Sequence, residues 1–180
     1  LNVAEDLEEY RPLASGDING FLMSGPAQDW TGVHVGANGG YGGDVLKVGD
    51  VIYVGRGGRT NDEGIRQFAS VVEPLGARVI TVPLTKVLHL KSAVTALPDG
   101  TIIGWAPGVD DPGIFPNFTA MPEESGAHVV LLDENTLLMA ADAPRSAEEF
   151  RSRGYRTVEV DISEYIKLEG CVTCLSVRVR

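Results

Sequence analysis

Short apolar runs alternate with polar and glycine-rich turns from residue 44 onward, and this pattern predicts strands more often than helices. Segments 44–48 and 51–54 flank a Gly-Asp pair, which predicts a hairpin. Apolar residues at helical spacing then predict a helix over 61–74. Segment 78–83 alternates as a strand does. The predicted unit is therefore strand, strand, helix, strand.

The same order recurs towards the C-terminus. Segments 129–132 and 137–140 predict a second hairpin, and a helix around Phe150 and a strand over 155–162 follow it. Between the two copies, the predicted strands 87–97 and 101–105 flank Pro98-Asp99-Gly100 and lead into a proline-rich connection. One such unit cannot bury its own apolar face, so several must pack around a shared core. We therefore expect an α/β repeat fold with short mixed sheets and peripheral helices.

Both predicted helices begin with the residue pattern of a capping box. Thr60 stands three residues before Glu63, and Ser146 stands three residues before Glu149. In a capping box the hydroxyl and the acid satisfy backbone N–H groups in the first helical turn. We expect Thr60 and Ser146 to be the N-caps.

Residues 1–43 follow a different pattern. Segment 1–10 is acidic and predicts a short helix, whereas 17–43 is rich in Gly, Asn, Ser and Pro. That composition predicts loops, with two short strands around 18–23 and 32–35. We treat 1–180 as a single domain that consists of a divergent segment, 1–43, and a repeat region, 44–180.

The chain has 180 residues and a formal net charge of −10. This charge argues against nucleic acid or an anionic membrane surface as a partner. The sequence contains no apolar run long enough to span a bilayer and no signal-peptide pattern over 1–10. Its only two cysteines lie three residues apart, which favours a reducing, cytoplasmic location.

Cys171 and Cys174 carry the most distinctive chemistry in the sequence. A redox pair of the thioredoxin type would need a helix directly after it, but segment 177–180 alternates Val and Arg. A structural zinc site would need four ligands, and the three histidines are isolated in sequence. Buried apolar packing is the preferred interpretation for Cys171. A nucleophile is the preferred interpretation for Cys174, and we expect no metal at this pair.

His89 and Arg59 are the other candidates. His89 has apolar neighbours, as a core histidine would, yet a strand would place Lys91 on the same face, which favours a cleft. A cysteine nucleophile requires a histidine brought from elsewhere in the chain. Arg59 lies in a glycine-rich turn before a helix, where it could hold a carboxylate or simply face solvent.

Several motifs together resemble one family over about residues 42–180. These motifs are Gly43-Asp44-Val45-Leu46-Lys47-Val48-Gly49-Asp50, Arg59-Thr60-Asn61, Leu88-His89-Leu90-Lys91-Ser92, Gly154-Tyr155 and Gly170-Cys171-Val172-Thr173-Cys174-Leu175-Ser176. In this order and spacing they resemble dimethylarginine dimethylaminohydrolases. The resemblance implies a pentein fold, a propeller-like ring of five strand-strand-helix-strand modules, of which this chain would supply about three. It also implies hydrolysis of Nω-methylated arginine to citrulline and a methylamine or dimethylamine, without a cofactor.

The resemblance further implies roles for individual residues. Cys174 would be the nucleophile and His89 its partner. Arg59 would hold the substrate carboxylate, and Leu168 falls where a backbone carbonyl touches the substrate. An acid that orients the histidine is expected at position 41, where this chain has Tyr41, so Asp44 is a second candidate for that role.

A different class of function stays open at this point. Residues 1–41 do not match the family's first modules, and Tyr41 cannot supply a carboxylate. The alternative is a catalytically impaired pentein remnant that binds arginine-like ligands or acts through self-association. An open ring would expose apolar module faces, which predicts a homo-oligomer.

Overall fold

The computed structural model of the chain describes residues 43–176, together with the backbone of two short strands, β1 (Asp29–Trp30) and β2 (Val33–His34). These two strands pair antiparallel, and β2 falls within the predicted strand 32–35. The helix predicted over 1–10, the strand predicted over 18–23 and Tyr41 lie outside the described residues.

Three similar sheets follow along the chain, each with three strands. In each sheet the second strand pairs antiparallel with the first and parallel with the third. The strands are β3 (Val45–Val48), β4 (Val51–Arg56) and β5 (Arg78–Pro83); β6 (Val94–Ala96), β7 (Ile102–Gly104) and β8 (Phe118–Ala120); and β9 (Val130–Leu131), β10 (Thr136–Ala140) and β11 (Arg156–Val160). The predicted α/β repeat is confirmed.

Helices make the parallel crossovers in the first and third modules. They are α1 (Asp62–Val72) and α2 (Pro144–Ser152), and a short α3 (Ser163–Ile166) follows β11. The middle module crosses over through two 3₁₀ turns, Ala106–Gly108 and Pro112–Ile114. Prolines in this connection interrupt the backbone hydrogen bonding of an α-helix, so short turns replace it. Further 3₁₀ turns are Glu73–Leu75, Leu90–Ser92 and Ser125–Ala127.

The prediction that Thr60 caps α1 is wrong. Asn61 is the N-cap, and its side-chain oxygen accepts from the Gly64 N–H at 2.8 Å. The Thr60 hydroxyl instead donates to Asp44 Oδ2 at 2.6 Å. Thr60 is buried and faces this carboxylate, so Asn61, one residue later, supplies the acceptor for the N–H groups of the first helical turn.

The prediction for Ser146 is wrong for a similar reason. Ala143 occupies the N-cap of α2 without a side-chain hydrogen bond, and Ser146 lies in the first helical turn. Both the N–H and the hydroxyl of Ser146 donate to Glu123 Oε2 at 2.8 Å. In the first and third modules, therefore, a carboxylate that precedes the hairpin binds a hydroxyl at the start of the helix.

The strand predicted over 87–97 is wrong in its first half. Only Val94–Ala96 is a strand, whereas His89 is the extended residue that leads into the 3₁₀ turn Leu90–Ser92. The argument that His89 and Lys91 share one strand face therefore does not hold. Each residue reaches its position through a loop.

The buried apolar residues form three clusters. One lies between α1 and its own sheet, around Phe68 and Ile52. The second joins the first two sheets and includes Ile102, whereas the third joins the middle sheet to α2 and includes Ile103 and Phe150. Neighbouring residues of a strand point to opposite faces, so β7 contributes to two clusters at once. Within residues 43–176, no helix has the length and apolar character needed to cross a bilayer.

Candidate active site

A cavity of about 660 Å³ opens where three segments meet. They are the loop that leads into the Leu90–Ser92 turn, the segments that flank the third sheet, and the turn that follows α3. Both His89 and Cys174 line this cavity. The other lining residues are Lys86, Val87, Leu88, Ser92, Glu123, Glu124, Ser125, His128, Ala140, Asp142, Ile162, Ile166, Glu169, Gly170, Cys171 and Val172.

Backbone hydrogen bonds to residues 43 and 44 hold the His89 loop. The Lys91 N–H donates to the Gly43 carbonyl at 2.8 Å, and the Leu90 N–H donates to Asp44 Oδ1 at 3.0 Å. The other oxygen of Asp44 accepts from Thr60, and Asp44 is only 3% exposed. Asp44 therefore fixes the backbone next to His89, and its two oxygens are both engaged in doing so.

The side chain of His89 packs directly on Gly43. A Cβ atom at position 43 would lie 2.6 Å from Cγ of His89 and 2.8 Å from its Cδ2. Real Cβ atoms do not approach other atoms this closely, so a side chain at position 43 would force the imidazole of His89 to move. The absence of a side chain at Gly43 thus lets the imidazole pack directly against the backbone.

His128 is a second histidine in the cavity wall, and the sequence analysis assigned it no role. It is 8% exposed, and its Nε2 lies 2.7 Å from the carbonyl oxygen of Ser92. A carbonyl can only accept, so Nε2 carries the hydrogen. His128 thereby anchors the far end of the turn that His89 begins. Its partner is 36 residues away, so no local sequence pattern indicates this contact.

The two cysteines lie in a tight turn after α3. Glu169 adopts a left-handed conformation with φ 59°, and the Gly170 N–H donates to the Tyr165 carbonyl at 2.9 Å. The chain thereby turns into the cavity. The Sγ atoms of Cys171 and Cys174 lie 3.1 Å apart as free thiols, with Cys171 buried and Cys174 exposed.

The contact between the two thiols shifts their pKa values in opposite directions. The hydrogen bond from Cys174 lowers the pKa of Cys171 to about 5, against the effect of burial and with help from the charge of His128. The same hydrogen bond raises the pKa of Cys174. The pair therefore holds one negative charge at neutral pH and shares the remaining proton. Lys91 is near both sulfurs: burial lowers its pKa, and the negative charge of the cysteine pair opposes that effect.

Carboxylates give the described cavity wall an acidic character. Four of them line it alongside a single lysine, Lys86. They are Glu123, Glu124, Asp142 and Glu169. Burial works against ionisation of Glu123, but hydrogen bonds from Ser146 and Arg145 lower its pKa. A cation would be favoured in such a cavity over an anion.

The remaining candidates from the sequence lie elsewhere. Arg59 is exposed in the loop before α1 and is not among the described residues that line the cavity. The side chain of Leu168 is 84% exposed, although the next residue, Glu169, reaches the cavity. Tyr41 lies outside the described residues. Over 43–176, no group of three or more His, Cys, Asp or Glu side chains is placed to hold a metal ion.

No protein-family model matches the chain. A dimethylarginine dimethylaminohydrolase from Streptomyces coelicolor is 66% identical over 139 residues, which cover 77% of this chain and 54% of that protein. The matched part of the chain belongs to the dimethylarginine dimethylaminohydrolase family. The chain spans about half the length of the curated relatives that it matches.

Solved structures agree with this family and its fold. A cysteine-to-serine mutant of the dimethylarginine dimethylaminohydrolase of Pseudomonas aeruginosa, complexed with citrulline, superposes with a TM-score of 0.68 at 36% identity. The match covers 77% of this chain and 55% of that chain. An amidinotransferase from Microseira wollei shares the fold with the same TM-score at 18% identity, over 79% of this chain and 45% of that chain.

Proposed function

We propose that this chain hydrolyses Nω-methylated arginine to citrulline and the corresponding methylamine or dimethylamine, with Cys174 as nucleophile and His89 as general acid and base. The observation that carries the proposal is that these two residues, far apart in sequence, line one cavity. The membership of the family supports the substrate class. The acidic wall supports a cationic guanidinium as the bound group.

The chemistry needs one nucleophile and one proton carrier. The thiolate of Cys174 attacks the guanidinium carbon and forms a C–S bond. His89 donates a proton to the departing amine as the C–N bond breaks. Water then attacks the same carbon, gives a proton to His89, and the C–S bond breaks to release citrulline. Both steps balance without a cofactor.

Cys174 must become a thiolate before it attacks. In the ligand-free pair its pKa is raised because it donates its proton to Cys171. A guanidinium cation close to Cys174 would stabilise negative charge on that sulfur. Transfer of the shared proton to Cys171 across the 3.1 Å contact would then leave the thiolate on Cys174. Binding of the substrate would thus complete the activation of the nucleophile.

Anchoring of the substrate's α-carboxylate by Arg59 and contact with the Leu168 carbonyl are parts of the same proposal. Arg59 lies outside the described cavity wall, so this role requires the substrate to extend beyond that wall or the loop to move. Arg59→Lys should raise KM and leave kcat less affected, because a lysine keeps the charge but loses the bidentate fork. An unchanged KM would contradict the role.

The direct test measures citrulline and dimethylamine released from asymmetric dimethylarginine by the full chain. Cys174→Ala should reduce turnover to background, and His89→Gln should lower kcat by about 100-fold or more. Glu148→Ala, an exposed change on α2, is the matched control and should leave the rate unchanged. Equal rates in the wild type and Cys174→Ala would overturn the proposal.

A non-catalytic arginine-binding role is the second candidate, and the short match to the family favours it. Calorimetric titration with dimethylarginine distinguishes the two. Binding without citrulline release would support the second candidate, and the absence of both would contradict both.

Self-association belongs to the same second candidate. Tyr165, Ile166 and Leu168 are exposed around α3, and Leu175 is exposed in the cysteine turn. Sedimentation velocity should show a homo-oligomer, whereas a compact monomer at all concentrations would contradict this prediction.

A further inference from the structure

The fold places the thiols of Cys171 and Cys174 in direct contact. The Leu175 N–H donates to the Cys171 carbonyl at 3.1 Å, and the Ser176 hydroxyl donates to the Val172 carbonyl at 2.5 Å. These hydrogen bonds close the turn and bring both sulfurs to one side. A disulfide has an S–S distance of about 2.05 Å, so the observed 3.1 Å needs about 1 Å of closure.

The two sulfurs differ in access and in charge. Cys174 is exposed at the cavity, whereas Cys171 is 6% exposed and also contacts the Thr173 hydroxyl at 3.0 Å. Lys91 and His128 are close enough to act on the charge of the pair. A thiolate, not a thiol, reacts with oxidants and disulfides. One sulfur is therefore accessible from the cavity, and the other lies directly behind it, 3.1 Å away.

We infer that Cys171 and Cys174 are a site of reversible oxidation, at which a hydroperoxide converts the pair into an internal disulfide. This modification site goes beyond the proposed function and does not depend on it. The oxidant is a small hydroperoxide such as hydrogen peroxide, which can reach Cys174 because that side chain is exposed at the cavity. Cys171 is the resolving thiol.

The reaction balances in two steps. After the shared proton moves to Cys171, the Cys174 thiolate attacks the peroxide oxygen, the O–O bond breaks, and a sulfenic acid and hydroxide form. Hydroxide removes the proton from Cys171 to give water. The Cys171 thiolate then attacks the Cys174 sulfur and displaces a second hydroxide, which takes a proton from solvent. The two sulfurs lose two electrons, and the peroxide gains them.

The disulfide would remove the free thiol of Cys174 and would also protect its sulfur from further oxidation. An isolated sulfenic acid can be oxidised further to sulfinic acid, which thiols do not reverse. A resolving thiol 3.1 Å away intercepts it first. A dithiol reductant would then restore both thiols.

The test treats the full chain with hydrogen peroxide and follows intact mass and peptide maps. The wild type should lose two hydrogen atoms, yield one Cys171–Cys174 disulfide per chain, and recover fully with dithiothreitol. In Cys171→Ser the sulfenic acid at Cys174 should persist and be trapped by dimedone. Repeating the reaction in urea tests whether the rate of disulfide formation depends on the fold or only on the three-residue spacing of the cysteines. The folded chain should react at least about 10-fold faster because its sulfurs are already positioned.

Three results would overturn the inference. One is sulfinic acid at Cys174 as the main wild-type product. Another is a disulfide that forms only between chains. The third is an equal rate in the folded and urea-unfolded chain. None of these readouts uses turnover, so they remain decisive whether or not the chain releases citrulline.

Discussion

Removal of the Asp44 carboxylate should weaken both the fold and the placement of His89. Asp44 is 3% exposed and accepts two hydrogen bonds, from the Thr60 hydroxyl at 2.6 Å and the Leu90 N–H at 3.0 Å. In Asp44→Ala both donors stay buried but lose this acceptor. Leu90 directly follows His89, so the loss reaches the cavity as well as the core.

The size of the effect follows from the two contacts. A hydrogen bond to a charged group contributes about 1.5–3 kcal/mol. Asp44→Ala should therefore lower the free energy of unfolding by about 3–6 kcal/mol, given two such bonds. Thr60→Val removes only one of them and should cost about 1.5–3 kcal/mol. Because both changes remove the same Thr60–Asp44 bond, the double mutant should be more stable than additivity predicts by about the value of that bond.

Urea denaturation followed by circular dichroism measures these differences. Glu148→Ala, an exposed change on α2, should alter stability by less than about 0.5 kcal/mol and serves as the control. If Asp44→Ala is too unstable to purify, Asp44→Asn keeps one carbonyl acceptor and should show about half of the loss. A value for Asp44→Ala within about 1 kcal/mol of wild type, or strict additivity with Thr60→Val, would refute the reasoning.

Two further predictions concern the cavity. In Gly43→Ala the new Cβ would lie 2.6 Å from Cγ of His89, so the imidazole must move away by about 1 Å. This displacement should reduce kcat/KM by about 100-fold. The control is Gly58→Ala, whose Cβ would have no atom within 4 Å and which should leave kcat/KM unchanged. The ultraviolet absorbance of the thiolate should show one titration near pH 5, where the pKa of Cys171 lies. In Cys174→Ala this step should move up towards about 9, because the donor of the main hydrogen bond is gone. A lowered pKa means that the Cys171 thiolate stabilises the fold above its ordinary pKa and loses that contribution as the pH falls through about 5.

The contrary results are equally specific. Equal rates for Gly43→Ala and Gly58→Ala would show that the imidazole adapts without loss. A titration step that stays near pH 5 in Cys174→Ala would show that another group stabilises the thiolate.

Local signals were sufficient to predict most of the repeat. The breaks between apolar runs at 49–50, 98–100 and 133–136 predicted strand ends, and the structure pairs the strands on either side of each break as an antiparallel hairpin. Gly76 and Gly154 follow the two helices with positive φ values of 93° and 91°, a conformation that glycine adopts without steric cost. These features depend on residues only a few positions apart, so the sequence pattern contains them.

The sequence failed where distant residues supply the partners. Segment 87–93 resembles a strand because most of its residues are apolar. The N–H groups of Leu90 and Lys91, however, donate to the Asp44 carboxylate and the Gly43 carbonyl instead of to a neighbouring strand. His128 was overlooked for the same reason. The prediction of His89 and Cys174 as a pair came from the chemistry of their residue types and from the motif-level resemblance, not from periodicity. Their chemical roles stay predictions.

The two faces of β7 have a consequence for how the molecule opens. Ile102 and Ile103 are both essentially inaccessible, yet they belong to different apolar clusters. Any fluctuation that frees this strand must therefore disrupt both clusters together, so the amide hydrogens of residues 102–104 should exchange with deuterium last. The outer strands of the first and third sheets can unfold locally, but β7 can open only when the packing between the middle sheet and both of its neighbours is lost.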